Sequence, residues 1–323
     1  MRYVSLPSGG PQVSVLGLGC AAMLGRSGRR ESMAALSAAY DAGITFYDTA
    51  RSYGYGESEV LLGEFFAGRR DSVVLCTKFG ILPAPPGGWK QKLKPLARSV
   101  VRLFPGLRSA VRKQAADQMV QGQFSVEVLR ASVETSLRSL KTDYVDMLLM
   151  HAAPISVLQQ DDLLDEMGRL VEQGKVRMAG ISGEHNVIAG TFTQRPSVLT
   201  TAQFAVNISN LEFTRHTLPA AEAGMFLVAN HPFGGPMGVD QCRRRIEEMR
   251  VSEELPITLR EKLTADAQLM PEVVLNVILS GTGISAVIPA MMQTSHLAGN
   301  VRAVEECRFS AEEIALLRHA LER

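Results

Sequence analysis

Apolar residues fall along this chain in short continuous runs, and each run is separated from the next by a longer amphipathic stretch. The runs are VSVLGLG (13–19), ITFYDT (44–49), VVLCTK (73–78), DYVDMLLMH (143–151), VRMAGIS (176–182), LTTAQF (199–204), MFLVAN (225–230) and ISAVIPA (284–290). Between them, apolar positions recur at helical spacing around 30–42, over 57–68, where Val60, Leu61 and Phe65 share a face, over 125–140 and over 158–173. A strand that is apolar without alternation is buried on both faces, the condition of a parallel sheet covered by helices. Eight such strands alternating with helices predict an α/β fold, a closed (β/α)8 TIM barrel, here with an N-terminal β-hairpin and a long insertion after the third strand. The competing arrangement is an open doubly wound sheet, whose dinucleotide-binding form carries G-x-G-x-x-G after its first strand. GLGCAAM (17–23) does not complete that motif. One barrel domain spanning 1–323 is the expectation.

In such a barrel the chemistry belongs to the loops that follow the strands' carboxyl ends. That rule selects Cys20, Asp48, Tyr53, Lys78, His151, Ser182, Gln203, Asn230, His231 and the segment after Pro289. DTARSYGYGESE (48–59) follows one strand directly, and Gly54 and Gly56 mark it as a loop in which backbone freedom matters more than packing. A tyrosine ordinarily titrates near about 10, and an adjacent ammonium favours its ionised form. Lys78 supplies such a charge, Asp48 a partner for Lys78, and His151 a group able to orient a carbonyl oxygen or move a proton. Singly, each has an ordinary structural explanation: a solvated lysine, a core histidine, an aspartate bonding its own turn, an exposed aromatic. Four strand-end placements together favour a reactive site.

Composition narrows the class of partner. A net charge of +1 implies no global attraction to nucleic acid or membrane. Cys20, Cys76, Cys242 and Cys307 are scattered without a C-x-x-C pair, so neither a metal site nor a disulfide framework is expected. No stretch approaches the ~20 apolar residues of a membrane span, and the N-terminal residues carry no secretory pattern. A cytoplasmic location is the expectation.

DTARSYGYGESE resembles the aldo-keto reductase signature, in which an aspartate precedes the catalytic tyrosine by five residues. CTKFG is similar to that family's lysine strand end, DYVDMLLMHAAP to its histidine strand end, and GKVRMAGIS to the segment carrying a cofactor-binding serine. VSVLGLGC resembles its first barrel strand, and AVIPA followed by Asn300 its adenosine-binding segment. The resemblance implies a reductase of aldehydes and ketones that uses NADPH or NADH. Tyr53 would donate the proton, Lys78 would lower its pKa, Asp48 would pair with Lys78, and His151 would orient the carbonyl. Ser182 and Gln203 would bind the nicotinamide carboxamide, with Gly19, Cys20 and Asp48 alongside. HPFGGPMG (231–238), through Pro232, Phe233, Gly234 and Gly235, would cover the pyrophosphate, and Met292, His296 and Asn300 would face the adenosine half.

The sequence departs from that pattern at four places. Gly183 stands where asparagine is usual, and Asn230 where many relatives carry a stacking tyrosine. AMMQTSH (290–296) lacks the lysines and arginines that grip the 2′-phosphate of NADPH, which implies weaker discrimination for NADPH unless Arg243, Arg244 or Arg245 reaches in. Residues 81–123 far exceed an ordinary connection and carry eight basic residues against one acid. This insertion is read as a lid with Trp89 as a candidate wall, with anionic-ligand attraction and a homo-oligomer interface as the other readings. A small-molecule carbonyl substrate, no nucleic acid and no membrane span complete the expectation. Its rivals are a cofactor-binding regulatory or redox-sensing barrel, and an enzyme using the same four residues on an unusual metabolite.

Overall fold

The computed structural model describes residues 1–83, 121–194, 196–263, 266 and 268–322. Eight parallel strands lie side by side in chain order: β3 (Leu18–Gly19), β4 (Phe46–Asp48), β5 (Val74–Phe79), β6 (Val145–His151), β7 (Val176–Ser182), β8 (Leu199–Ala205), β9 (Phe226–Asn230) and β10 (Ala286–Ile288). The last joins the first: Gly17 N donates to Val287 O at 2.8 Å, Val287 N to Val15 O at 2.8 Å and Gly19 N to Pro289 O at 3.0 Å. These bonds close the sheet, and the fold is a (β/α)8 barrel.

One run divides. Of the apolar stretch 13–19, β2 (Val13–Ser14) pairs antiparallel with β1 (Tyr3–Val4), and only the second half enters the barrel. Ser14 explains the division. Its backbone N–H donates to Thr45 Oγ1 at 2.8 Å and its hydroxyl accepts from Thr45 N at 3.0 Å, which fixes the hairpin at the amino ends of the strands. From there Leu6 and Val13 close the barrel floor, packing with Phe46, Val74, Cys76, Met147, Leu149, Met178, Phe226, Val228, Ala286 and Ile288.

Alternate residues on each strand point the other way, towards the helices. Tyr47, Leu75, Leu148, Met150, Ile181, Phe204, Leu227 and Val287 belong to that outer layer. It is covered in chain order by α1 (Arg29–Asp41), α2 (Ser58–Phe65), α3 (Val126–Leu140), α4 (Asp161–Glu172), α5 (His185–Gln194), α6 (Thr217–Glu222), α7 (Gly235–Val251), α8 (Ile257–Lys262), α9 (Leu269–Leu279), α10 (Thr294–Glu305) and α11 (Ala311–Leu321). Helix α3 shows how local signals set such an element. Ser125 caps its start by accepting from Val128 N at 3.3 Å, and Leu129, Val133, Leu137 and Leu140 form its buried stripe. Full burial of each such side chain stabilises by about 1.5–3 kcal/mol. The helix stops where Lys141 turns left-handed at φ 54°.

Of the long insertion, 84–120 and with it Trp89 lie outside the described residues. Its two roots meet immediately beyond Lys78, where Gln123 N donates to Gly80 O at 3.1 Å and Phe124 meets Phe79 edge-on at 5.9 Å. No described helix is long and apolar enough to cross a membrane.

Candidate active site

The parity that fills the barrel with Phe46, Val74, Cys76, Met147, Leu149, Met178 and Val228 continues to Asp48, Lys78, His151 and Asn230 two residues further, and through Gly180 to Ser182. The inner row is thus apolar until the carboxyl ends and polar there, which gathers the polar groups in one mouth. Lys78 has no solvent exposure. Its Nζ donates to Asp48 Oδ1 and Oδ2, both at 2.7 Å, and to Thr49 O at 2.9 Å. Tyr53 OH stands 3.4 Å from the same nitrogen. The Tyr53 ring meets His151 edge-on at 5.7 Å between centroids. Asp48, Tyr53, Lys78 and His151, selected separately in the sequence, form one cluster.

A hydrogen-bonded chain crosses the mouth from this cluster. Gln203 Nε2 donates to Asp48 Oδ1 at 2.7 Å, joining β8 to β4 on the opposite side of the barrel. Ser182 Oγ donates to Gln203 Oε1 at 3.1 Å, and Asn230 Nδ2 reaches the same oxygen at 3.5 Å. His231 Nδ1 lies 2.8 Å from Asn230 Oδ1. Cys20 N donates to Asp48 O at 2.9 Å, and Gly19 is in register with Asp48. Pro232, Phe233, Gly234 and Gly235 follow β9, Met292 follows β10, and His296 and Asn300 lie on α10. Among the described residues no hydrogen bond joins these seven to the cluster.

Burial and charge set the protonation of these groups in opposing ways. Burial alone pulls an ammonium towards neutrality, but Asp48, Tyr53 and Cys76 outweigh it and raise Lys78 above its ordinary value, so the cation is retained. For Tyr53, burial raises the phenol and exceeds the downward pull of Lys78, so the hydroxyl sits above its ordinary value and holds its proton. The sequence pointed to a net acidic phenol. The ammonium acts in that direction, and desolvation wins. His151 is pushed down to about 3, by burial first and by Lys78 second, and is neutral at pH 7. Its Nδ1 is buried without a hydrogen-bond partner among the described residues.

Sequence reasoning missed two members of the cluster. The Thr49 carbonyl holds the third bond of Lys78, and the Cys76 thiol stands beside Asp48, raised well above its ordinary value by burial and then by that carboxylate. A backbone acceptor leaves no signature in side-chain identity. Cys76 sits two residues before Lys78 on the inner parity of β5, a signal that was present.

Backbone conformation also concentrates here. Of the five non-glycine residues with positive φ among the described residues, Lys141 ends a helix, and Leu24, Tyr55, Ala152 and His231 stand in loops beyond β3, β4, β6 and β9. Such conformations cost about 1–3 kcal/mol each and gather where a site is held in a fixed shape. Among the described residues no cluster of His, Cys, Asp and Glu is suited to a metal ion.

Comparison with known proteins gives a consistent assignment. The model of the aldo/keto reductase family matches residues 15–322. Aldo-keto reductase YhdN of Bacillus subtilis is 30% identical over 228 residues, 69% of this chain and 59% of that protein. Norsolorinic acid reductase B of Aspergillus parasiticus is 30% identical over 264 residues, 76% of this chain and 60% of that protein. The chain therefore spans about three fifths of the length of these relatives. The holo form of aldo-keto reductase AKR11C1 from Bacillus halodurans superposes with a TM-score of 0.73 at 23% identity, over 99% of this chain and 96% of that one. With a family model matched over nearly its whole length and a barrel mouth holding the aspartate, tyrosine, lysine and histidine of the resemblance, the chain belongs to the aldo/keto reductase family, a family of oxidoreductases.

Proposed function

We propose that this protein reduces an aldehyde or ketone to an alcohol with a nicotinamide cofactor, and that Tyr53 supplies the proton. The observation that carries this reading is the position of Lys78 Nζ, 2.7 Å from both oxygens of Asp48 and 3.4 Å from Tyr53 OH. A buried cation facing a protonated phenol suits donation to an oxygen that becomes negative during reaction. The groups at the mouth also fit the cofactor. Gln203 Nε2 keeps a second N–H beyond its bond to Asp48, and Ser182 Oγ keeps acceptor capacity beyond its bond to Gln203, as a carboxamide requires.

The cofactor, when bound, supplies hydride to the carbonyl carbon. Tyr53 passes its proton to the carbonyl oxygen, and the Lys78 ammonium stabilises the phenolate left behind. His151, neutral at pH 7, offers the oxygen a hydrogen bond without competing as an acid. Asp48 keeps Lys78 charged and in place. A relative from Saccharomyces cerevisiae, 29% identical over 239 residues, is named a putative aryl-alcohol dehydrogenase, which makes aryl aldehydes the first substrates to try.

The test is 4-nitrobenzaldehyde reduction with NADH and NADPH by the parent and by Tyr53→Phe. Turnover should fall by ~10³-fold or more in the variant, with nucleotide affinity within about two-fold of the parent. Equal turnover removes Tyr53 as donor. One observation favours a second reading, a cofactor-binding regulatory barrel: Gln203, Ser182 and Asn230 bond one another, and Gly183 offers no side chain there. A parent that binds nucleotide but reduces no aldehyde in a single turnover would select that reading.

A further inference from the structure

Glu59 has no solvent exposure, although it lies in the first turn of α2, outside the barrel. A buried carboxylate is stable only when its oxygens are satisfied, and here three donors converge on it. Thr77 Oγ1 and Ser136 Oγ both donate to Oε1 at 2.6 Å, and Arg51 Nη1 donates to Oε2 at 2.9 Å. The donors come from three different elements. Thr77 precedes Lys78 on β5 with its side chain on the outer parity, Ser136 lies on α3, and Arg51 belongs to the loop that carries Tyr53.

Arg51 is tied at both ends. Its side chain is held by Glu59, and its backbone N–H donates to Lys78 O at 3.3 Å. Within the same loop Thr49 Oγ1 donates to Ser58 Oγ at 3.0 Å, and Tyr53 N donates to Ala50 O at 3.1 Å. The loop leading to the phenol and the strand carrying the amine are therefore fastened to one carboxylate. The two faces of β5 divide the roles, with Lys78 turned to the reacting groups and Thr77 to the anchor.

We infer that Glu59 is a positioning residue that sets the separation of Tyr53 and Lys78 by clamping the Tyr53 loop, through Arg51, and strand β5, through Thr77. This role rests on the proposed reduction. A displacement near 1 Å at reacting groups can lower a rate by about a hundred-fold. Loosening the clamp should therefore lower kcat while nucleotide binding, located in the β7–β10 sector, is retained.

The experiment measures kcat, KM for 4-nitrobenzaldehyde, nucleotide Kd and melting temperature for the parent, Tyr53→Phe, Glu59→Gln and Thr77→Val. Glu59→Gln keeps the shape but removes the charge that holds Arg51. Thr77→Val keeps the ion pair and removes one bond, so it folds even where Glu59→Gln does not. The expected result is a fall in kcat of about ten-fold or more for Glu59→Gln and about three-fold or more for Thr77→Val, with Kd and KM within about two-fold. The pH–kcat profile of Thr77→Val should also shift from that of the parent, a change that lost stability alone does not produce. Thr77→Val matching the parent in kcat and pH profile overturns the positioning role, whatever Glu59→Gln does, as does a fall in kcat accompanied by an equal loss of nucleotide affinity. Tyr53→Phe retaining activity, or a parent inactive towards the aldehyde, removes the underlying reading instead.

Discussion

Lys78 is the residue on which the stability and chemistry of the mouth converge, because its ammonium is buried among three oxygens of Asp48 and Thr49. Removing one partner of a buried ion pair costs about 3–5 kcal/mol, whereas replacing both by uncharged groups costs far less. Lys78→Met should therefore lose about that much in urea unfolding, and Asp48→Asn/Lys78→Met should recover most of it while remaining inactive. A double variant as unstable as the single would show that the charge left on Asp48 is not the cause. His151 makes a second prediction. Its folded pKa of about 3 lies below the unfolded value, so its contribution is complete above about pH 6.5 and is lost as pH falls towards 3. Over that window the parent should lose stability faster than His151→Gln, by at most about 1.4 kcal/mol per pH unit; parallel urea midpoints would contradict the depressed value. The four residues themselves were legible in the sequence because Asp48, Lys78 and His151 stand at the ends of apolar runs and Tyr53 in the glycine-marked loop that follows one. The net direction of Tyr53 was not, because it depends on how completely the loop excludes water, and no local pattern encodes that.

At the level of elements, the continuous apolar runs marked every barrel strand, since burial on both faces leaves no polar alternation to confuse with another pattern. The division of 13–19 was hidden because the bonds that tie Ser14 to the next strand go to Thr45 and Phe46, 31 and 32 positions away. The clamp at Glu59 was hidden for the same reason: its donors Thr77 and Ser136 are 18 and 77 residues distant. Loop shape makes a prediction here. Gly54 has φ 60°, and a Cβ there would lie 2.8 Å from Met23 O, a backbone atom that cannot step aside. At Gly183 a Cβ would meet Val187 at 3.5 Å and Ala153 O at 3.6 Å, both ordinary contacts. Gly54→Ala should destabilise by about 1–3 kcal/mol and disturb the adjoining Tyr53, whereas Gly183→Ala should be neutral or stabilise by up to about 1 kcal/mol. Urea midpoints of the two variants decide it. Equal losses would mean that the loop after β4 accommodates a side chain as readily as the loop after β7.

For the molecule as a whole, the proposed nucleotide site makes a prediction that linkage between binding and unfolding measures directly. The segment 290–296 contributes no lysine or arginine, and of the four arginines on α7 three are engaged elsewhere, Arg250 with Glu247 at 2.7 Å. Arg245 donates to Ala320 O and Glu248, both at 3.1 Å, and Arg243 pairs with Asp240 at 3.3 Å. A 2′-phosphate recognised without a fixed cation gains little from charge-assisted bonding. A nucleotide at a hundred times its Kd stabilises the folded state by about 2.7 kcal/mol. For a chain of this length, the usual melting entropy per residue converts that into a rise of about 4 °C, and each ten-fold difference in affinity into about 2 °C. At equal concentrations, NADH and NADPH should therefore raise the melting temperature to within about 2 °C of each other. An NADPH shift larger than the NADH shift by about 4 °C or more would mean a hundred-fold preference for the phosphate. A cation must then reach it, and Arg244→Ala, on the same helix, is the variant that would show whether that cation is the remaining arginine.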